Sequence, residues 1–391
     1  MLIPQILEDE SLRQKLFPVC QRKIFLGHAG VTVLPRPVAD AMKEYIDAAS
    51  LDHQEFGDFL QMLKETRRAA AELIGSKPGE IAILGPTSLG LSLFANGLEW
   101  NEGDEVICYW DDYPANVYPW MNLERLGVRV RYIQPSVMGH ISPELVESML
   151  NRRTKLVALA SCHFLTGWRI DVDAIGKMLR DRGILFSLDA IQTLGAFPTK
   201  VDHVDFLSAD AHKWLLGPMA AGVVYVKEEN FERLRPTLLG AWNVKSPNFI
   251  TQDSIEFEYG GRRYEPGVLN GVGMYGLRAC FKLLQEAGME AVAARLVTLK
   301  RYIVERLEPM GFRFVGPPPG PLDSGIATCT RDDGVQLEPI FQYLSDNDVV
   351  CSLRFDRARV SYLRFSPHFY NTGAELDRVA ELIRHKVGAK A

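Results

Sequence analysis

The stretch Val204-Asp205-Phe206-Leu207-Ser208-Ala209-Asp210-Ala211-His212-Lys213-Trp214-Leu215-Leu216-Gly217-Pro218 runs from an apolar strand through a polar turn to a lysine. Upstream of it, Ile184-Leu185-Phe186-Ser187-Leu188 forms a second apolar run that ends in Asp189, with Gln192 one turn later. A lysine before an apolar turn is, by itself, an ordinary solvated surface group. Two buried strands that each end in a polar residue describe something more specific. They belong to a parallel sheet whose carboxyl ends form a ligand crevice.

Strands and helices alternate outward from this pair. Ile81-Ala82-Ile83-Leu84 leads into a helix from Thr87 to Leu98, and strands follow at 105–109, 128–133 and 155–160. Ser142-Pro143-Glu144 opens one helix, and another runs from Asp171 to Arg182, stopped by Gly183. Helices are predicted before the first strand at 37–49, with proline in its first turn, and at 53–74, with Phe56, Leu60, Leu63 and Ile74 on its apolar side. The alternation predicts an α/β fold with a mainly parallel sheet covered by helices. After Pro266 the texture changes to long helices near 271–287 and 289–309, then short strands near 312–315, 325–330, 348–354 and 359–365, and a last helix near 373–387. The predicted organisation is an N-terminal arm (1–25), a large domain (26–265) and a smaller α+β domain (266–391).

Composition narrows the class. A chain of 391 residues is too long for one simple core, and 47% hydrophobic with 24% charged residues is ordinary for a soluble globular protein. A net charge of -5 argues against a nucleic-acid-binding surface. The first residues lack the basic segment and apolar core of a signal peptide, and no apolar run is long enough to span a membrane. The six cysteines show neither paired nor metal-ligand spacing, so no metal site is expected and a reducing cytoplasm is.

The chemistry follows from the strand ends. A lysine at one and a carboxylate at the next meet the two requirements of pyridoxal 5′-phosphate: an amine to form a Schiff base with its aldehyde, and an acid to keep its pyridine nitrogen protonated. The turn Leu84-Gly85-Pro86-Thr87-Ser88 joins a strand to a helix, where free N–H groups and the helix dipole favour an anion. Taken alone, Thr87 or Ser88 reads equally well as an N-cap. Tyr113, in Asp112-Tyr113-Pro114-Ala115-Asn116, is either a ring-stacking aromatic or a loop-packing one. His163, after the strand at 155–160, is either a ligand contact or a satisfied structural histidine.

These motifs, in this order, resemble the class V aminotransferase superfamily of fold-type I pyridoxal phosphate enzymes, which includes cysteine desulfurases, kynureninase and isopenicillin N epimerase. The resemblance spans residues 24 to 385. It rests on Tyr113 to Trp120, Thr166-Gly167-Trp168-Arg169-Ile170-Asp171, Asp189-Ala190-Ile191-Gln192, His212 to Pro218, Tyr264 to Asn270, and Arg364 to Thr372. It implies that Lys213 is the Schiff-base lysine and that Asp189 pairs with the pyridine nitrogen. Gln192 would bond the ring hydroxyl, Tyr113 would stack on the ring, and Thr87, Ser88 and His212 would bind phosphate. Arg364 would take the substrate α-carboxylate, a task suited to a bidentate guanidinium. His28 lies where related enzymes bring an N-terminal loop to the substrate, and Trp242 where a subunit interface is expected. The resemblance also implies a homodimer with shared active sites.

Two positions depart from the family pattern. Asp210 stands where a serine phosphate ligand is common, and a carboxylate there needs a proton or a cationic partner. Val268 replaces a threonine that contacts the partner's phosphate, with Arg262 and Arg263 nearby as compensating cations or as a solvated pair. The expected reaction is that of a class V aminotransferase acting at Cα of an amino acid. The alternatives are a lyase cleaving a C–S or other β-bond, an epimerase, or a cofactor-binding protein without turnover, against which the joint presence of Lys213, Asp189 and Arg364 argues. A persulfide-forming desulfurase needs a cysteine on a mobile loop just before the carboxylate arginine. The cysteine present, Cys351, reads as a strand residue.

Overall fold

The computed structural model describes residues 2–55, 57 and 59–388. Thirteen strands in chain order build it: β1 (Ile24–Phe25), β2 (Ile81–Ile83), β3 (Glu105–Tyr109), β4 (Arg129–Ile133), β5 (Thr154–Ala160), β6 (Leu185–Asp189), β7 (Phe206–Asp210), β8 (Gly222–Val226), β9 (Arg313–Phe314), β10 (Ala327–Thr330), β11 (Val349–Val350), β12 (Ser352–Phe355) and β13 (Ser361–Phe365). Seven of them form the large sheet in the order β2-β8-β7-β6-β5-β3-β4. All its pairings are parallel except the two made by β8.

Why these residues make this sheet is visible in its alternation. Ile107, Val157, Leu159, Phe186, Leu188, Leu207 and Ala209 face one side, which the helices Arg36–Ala49, Phe59–Ile74 and Gly271–Ala287 cover. Val106, Cys108, Leu156, Ala158, Leu185 and Phe206 face the other, against Leu91 and Phe94 of the helix Thr87–Gly97. A parallel sheet buried on both faces needs such apolar strands, because every side chain is taken out of water. The Thr87–Gly97 helix lies close on β7, and a side chain at Gly90 would collide with Ser208. That closeness fixes the helix start beside the ends of β6 and β7.

The second sheet, β12-β13-β10-β9, is antiparallel and packs its own core of Leu299, Ile303, Leu344, Leu363, Phe365 and Val379. Beside it, β1 pairs in parallel with β11, so the chain near residue 25 is tied to the chain near residue 350. Most expected elements appear with shifted ends; β1 and the helix Glu338–Asp346 were not anticipated, and three others differ. The helix expected from residue 53 begins at Phe59, and Phe56 lies outside the described residues. The strand expected over 348–354 is interrupted at Cys351, which belongs to neither β11 nor β12. β8 was not anticipated. Among the described residues, no helix is long and apolar enough to cross a membrane.

Candidate active site

The carboxyl ends of β6 and β7, the start of the Thr87–Gly97 helix and the face of the small sheet close around a cavity of about 590 Å³. Its wall includes Thr87, Ser88, Tyr113, Asp189, Gln192, His212, Lys213 and Arg364, eight of the residues singled out from the sequence. Residues separated by hundreds of positions in the chain thus meet in one place. It is the crevice location expected of an open α/β sheet.

Lys213 is buried, and its Nζ lies 5.3 Å from the centroid of the Tyr113 ring. Burial pushes its amine down to about 8, with Asp189 opposing the shift and Arg364 and Arg354 adding to it. Burial pushes the Asp189 carboxyl up to about 6, while the N–H of Ile191, at 3.0 Å from Oδ1, and the charge of Lys213 hold it down. Behind it, Asp112 is pushed up to about 7 by burial and by the charge of Asp189. Two carboxyls so placed resist ionising together.

The helix beginning at Thr87 has no side-chain cap, which leaves its first N–H groups for an anion. Thr87 Oγ1 accepts the N–H of Asp210 at 2.8 Å, so the hydroxyl keeps its own hydrogen to donate elsewhere. Asp210 itself does not line the cavity. Its Oδ2 accepts from the Nδ1 of His212 and from the N–H of Ala220 at 3.1 Å. The bond from His212 orients its ring and leaves Nε2 as that ring's other polar atom, while Asp210 Oδ1 is buried without a partner among the described residues. Gln192 accepts the indole N–H of Trp214 at 2.8 Å and donates to the carbonyl of Ala29 at 3.1 Å, with one amide hydrogen left over.

Two further expected contacts are not on the wall. His163 is buried, with Nδ1 2.9 Å from Thr166 Oγ1 and Nε2 3.0 Å from the carbonyl of Asp111. It braces the loop that presents Tyr113 rather than facing a ligand. His28 is corrected likewise. Its ring is fully buried between Thr32 Oγ1, at 2.7 Å, and the Tyr370 hydroxyl, at 3.0 Å, while its neighbours Gly27 and Ala29 form the wall. Burial holds both imidazoles below their ordinary range, His163 down to about 4, so both are neutral at neutral pH. Of the basic pair near Val268, Arg263 is turned inward onto Phe231 and bonds its carbonyl at 2.7 Å. Arg262 remains half-exposed.

The opposite wall comes from the small sheet. Arg364 on β13 is almost fully buried; its Nη1 donates to the carbonyl of Phe164, its Nη2 lies 3.5 Å from Ser352 Oγ, and its Nε has no partner among the described residues. Burial and Arg354 push its guanidinium down to about 9, still cationic at neutral pH. Sequence reasoning missed Arg354, Asp112 and Phe164. The signal for Arg354 is the alternation Ser352-Leu353-Arg354, which places it on the same strand face as Ser352.

The donor set fits pyridoxal phosphate. There is an uncapped helix start with hydroxyls and an imidazole for a dianion, an aromatic face over the lysine amine, and a buried carboxyl for a ring N–H. Comparison with known proteins agrees. The Aminotransferase class-V family profile matches residues 24–379, and the chain belongs to that family, whose enzymes use pyridoxal 5′-phosphate. A probable cysteine desulfurase of Methanothermobacter thermautotrophicus is 24% identical, over 98% of this chain and 99% of that one. An uncharacterised aminotransferase of Bacillus subtilis, YcbU, is 27% identical over 96% and 99%. In fold, the apo cysteine desulfurase of Thermococcus onnurineus superposes with a TM-score of 0.89 at 24% identity, covering 97% of this chain and 98% of that one. The architecture is that of fold-type I enzymes.

Proposed function

We propose that this chain is a pyridoxal-phosphate enzyme that labilises the Cα–H bond of an α-amino acid, with transamination as the outcome. The observation that carries the reading is the convergence of Lys213, Asp189 and Arg364 on one buried cavity from two different sheets. Bound there, the cofactor supplies an electron sink for the pair left at Cα. Thr87, Ser88 and His212 hold its phosphate, Tyr113 covers its ring, and Gln192 gives a hydrogen to its ring oxygen. Asp189, pushed up to about 6 and so mainly ionised at neutral pH, would accept the ring N–H and keep the proton on the ring nitrogen. Arg364 receives the substrate carboxylate on its unpaired guanidinium edge and so orients Cα toward Lys213. Lys213, with an amine near 8, is deprotonated in roughly a tenth of molecules at neutral pH, which suits it to take and return the Cα proton.

A second reading is cleavage of a carbon–sulfur bond, favoured by relatives named as probable cysteine desulfurases. It uses the same first proton transfer. A persulfide relay is disfavoured because the thiol of Cys351, although on the cavity wall, is buried and pushed up to about 12. The test is a panel of amino acids offered to the holoenzyme, with and without a keto acid acceptor, reading keto acid, ammonia and sulfide. Keto acid formed only with an acceptor supports transamination. Ammonia or sulfide without an acceptor selects the lyase reading, and no product from any amino acid refutes both.

A further inference from the structure

The small-sheet wall presents two guanidiniums to the cavity, and the reading above uses one. The β12–β13 register sets Ser352 opposite Arg364 and Arg354 opposite Tyr362. Residues two apart on a strand share a face, so Ser352, Arg354 and Arg364 all project to the same side. The side chains converge further. The point where a Cβ on Gly30 would sit is 3.6 Å from Nη2 of Arg364 and 3.7 Å from Nη2 of Arg354. Beyond the effect of burial, Arg354 is close enough to depress the guanidinium of Arg364, and both cations depress the amine of Lys213.

Like charges held this near each other are costly unless an anion joins them, and none of the described carboxylates does. Among the described residues Arg354 forms no ion pair, and its hydrogen bond is a long one, 3.4 Å, to the carbonyl of Leu353. Asp356, the nearest acid in sequence, is taken by the N–H of Val360 at 2.9 Å and the hydroxyl of Tyr362 at 2.9 Å. The neighbouring Arg357 is committed to Asp111. With the α-carboxylate assigned to Arg364, one half-buried guanidinium on the wall is left facing the cavity. Phe25, Val31 and Val350 supply apolar wall for the carbons that would lie between two acidic groups.

We infer that Arg354 is a specificity residue that binds a second acidic group, carried on the side chain of the amino-acid substrate. The preferred substrate class is therefore the acidic α-amino acids with a short aliphatic spacer. This rests on the proposed carboxylate role of Arg364 and deepens it.

The test uses the cofactor-loaded protein and calorimetric binding of acids that lack the amine, so that no reaction intervenes. Glutarate and butyrate differ by one carboxylate. A charge-assisted hydrogen-bonded pair contributes about 1.5–3 kcal/mol, so glutarate should bind about 10- to 150-fold more tightly than butyrate to the wild type. Arg354→Gln should erase that preference while leaving butyrate affinity unchanged, and Arg354→Lys should restore part of it. Arg364→Gln should weaken both acids. Thermal melting of each variant separates lost binding from lost folding, and Arg354→Lys covers the case in which the glutamine variant does not fold. Equal wild-type affinity for the two acids, with Arg364→Gln weakening both, overturns the role of Arg354 and leaves that of Arg364 standing. Neither acid binding, or no response to Arg364→Gln, overturns the underlying reading of the cavity.

Discussion

The two walls of the cavity are built differently. On the large-sheet wall polar groups are already held: Thr87 by the N–H of Asp210, Asp189 by that of Ile191, His212 by Asp210, Gln192 by Trp214 and Ala29. On the small-sheet wall, Arg364 has an unpartnered Nε and a marginal contact to Ser352, and Arg354 has a single long bond. Buried polar groups are normally satisfied, so unsatisfied ones point to what is missing. The first wall holds these side chains before a guest arrives, while Asp210 Oδ1 behind it is buried without a partner among the described residues. The second wall leaves guanidinium edges open for a ligand that comes and goes.

The largest effect that can break this division is at Lys213. Lys213→Ala should lose activity by at least ~10²–10⁴-fold, the usual worth of a positioned acid–base group, and more if covalent attachment is essential. Borohydride treatment of wild-type holoenzyme should fix the cofactor to the peptide containing Lys213 and to no other, as read by mass spectrometry. Attachment to another lysine would move the permanent guest elsewhere. Next in size is Asp189→Asn. Removing one partner of a buried charged contact costs several kcal/mol, which is about 10²-fold or more in rate, yet the proposed phosphate ligands Thr87 and His212 are untouched. Cofactor content should therefore stay near wild type while turnover collapses. Loss of the cofactor along with turnover would show that the acid holds the guest and does not tune it.

A smaller effect sharpens the same contrast in the protein stripped of cofactor. Burial lowers the amine of Lys213 from its ordinary 10.5 to about 8. Between those two values the unfolded chain binds more protons at this site than the folded one, so stability rises with pH across that window. Below about 8 both states are protonated there, and the contribution is a constant penalty, up to about 3 kcal/mol for a shift of this size. Apo Lys213→Met should thus be more stable than apo wild type at neutral pH, with the gap closing toward pH 10. Urea unfolding at pH 7 and pH 10 measures it. A gap that stays constant with pH would mean that the amine is well solvated in the apo cavity.

The contrast also explains what could be read from sequence. The parallel strands carry long apolar runs because both faces are covered, so β5, β6 and β7 and their polar ends stand out, and with them Asp189 and Lys213. β8 was missed because it returns antiparallel through the loop 211–221, which carries Lys213, and lacks its own helix crossover. Arg354 was missed because its importance arises from register. Only the pairing of Ser352 with Arg364 shows that the two arginines share a face. His28 was placed at the ligand from its loop position, but the chain buries its ring behind the wall and leaves Gly27 and Ala29 in front. Neighbours in sequence can line opposite sides of a wall, and local pattern alone does not say which.

The smallest expected effect concerns Cys351, and it tests whether this chain shares the desulfurase chemistry after which several relatives are named. A cysteine that accepts sulfur from a substrate must be a thiolate and must move between the reacting centre and an acceptor. Cys351 sits between β11 and β12, where those strands are paired with β1 and β13, and burial pushes its thiol up to about 12. At neutral pH its thiolate fraction is about one in 10⁵. Cys351→Ser should therefore change turnover on the preferred amino acid by less than about threefold, since removing one buried sulfur costs packing and no reacting group. Sulfide release from cysteine in wild type that vanishes in Cys351→Ser, with the cofactor still bound, would contradict this. It would make Cys351 the sulfur acceptor and return the small-sheet wall to persulfide chemistry.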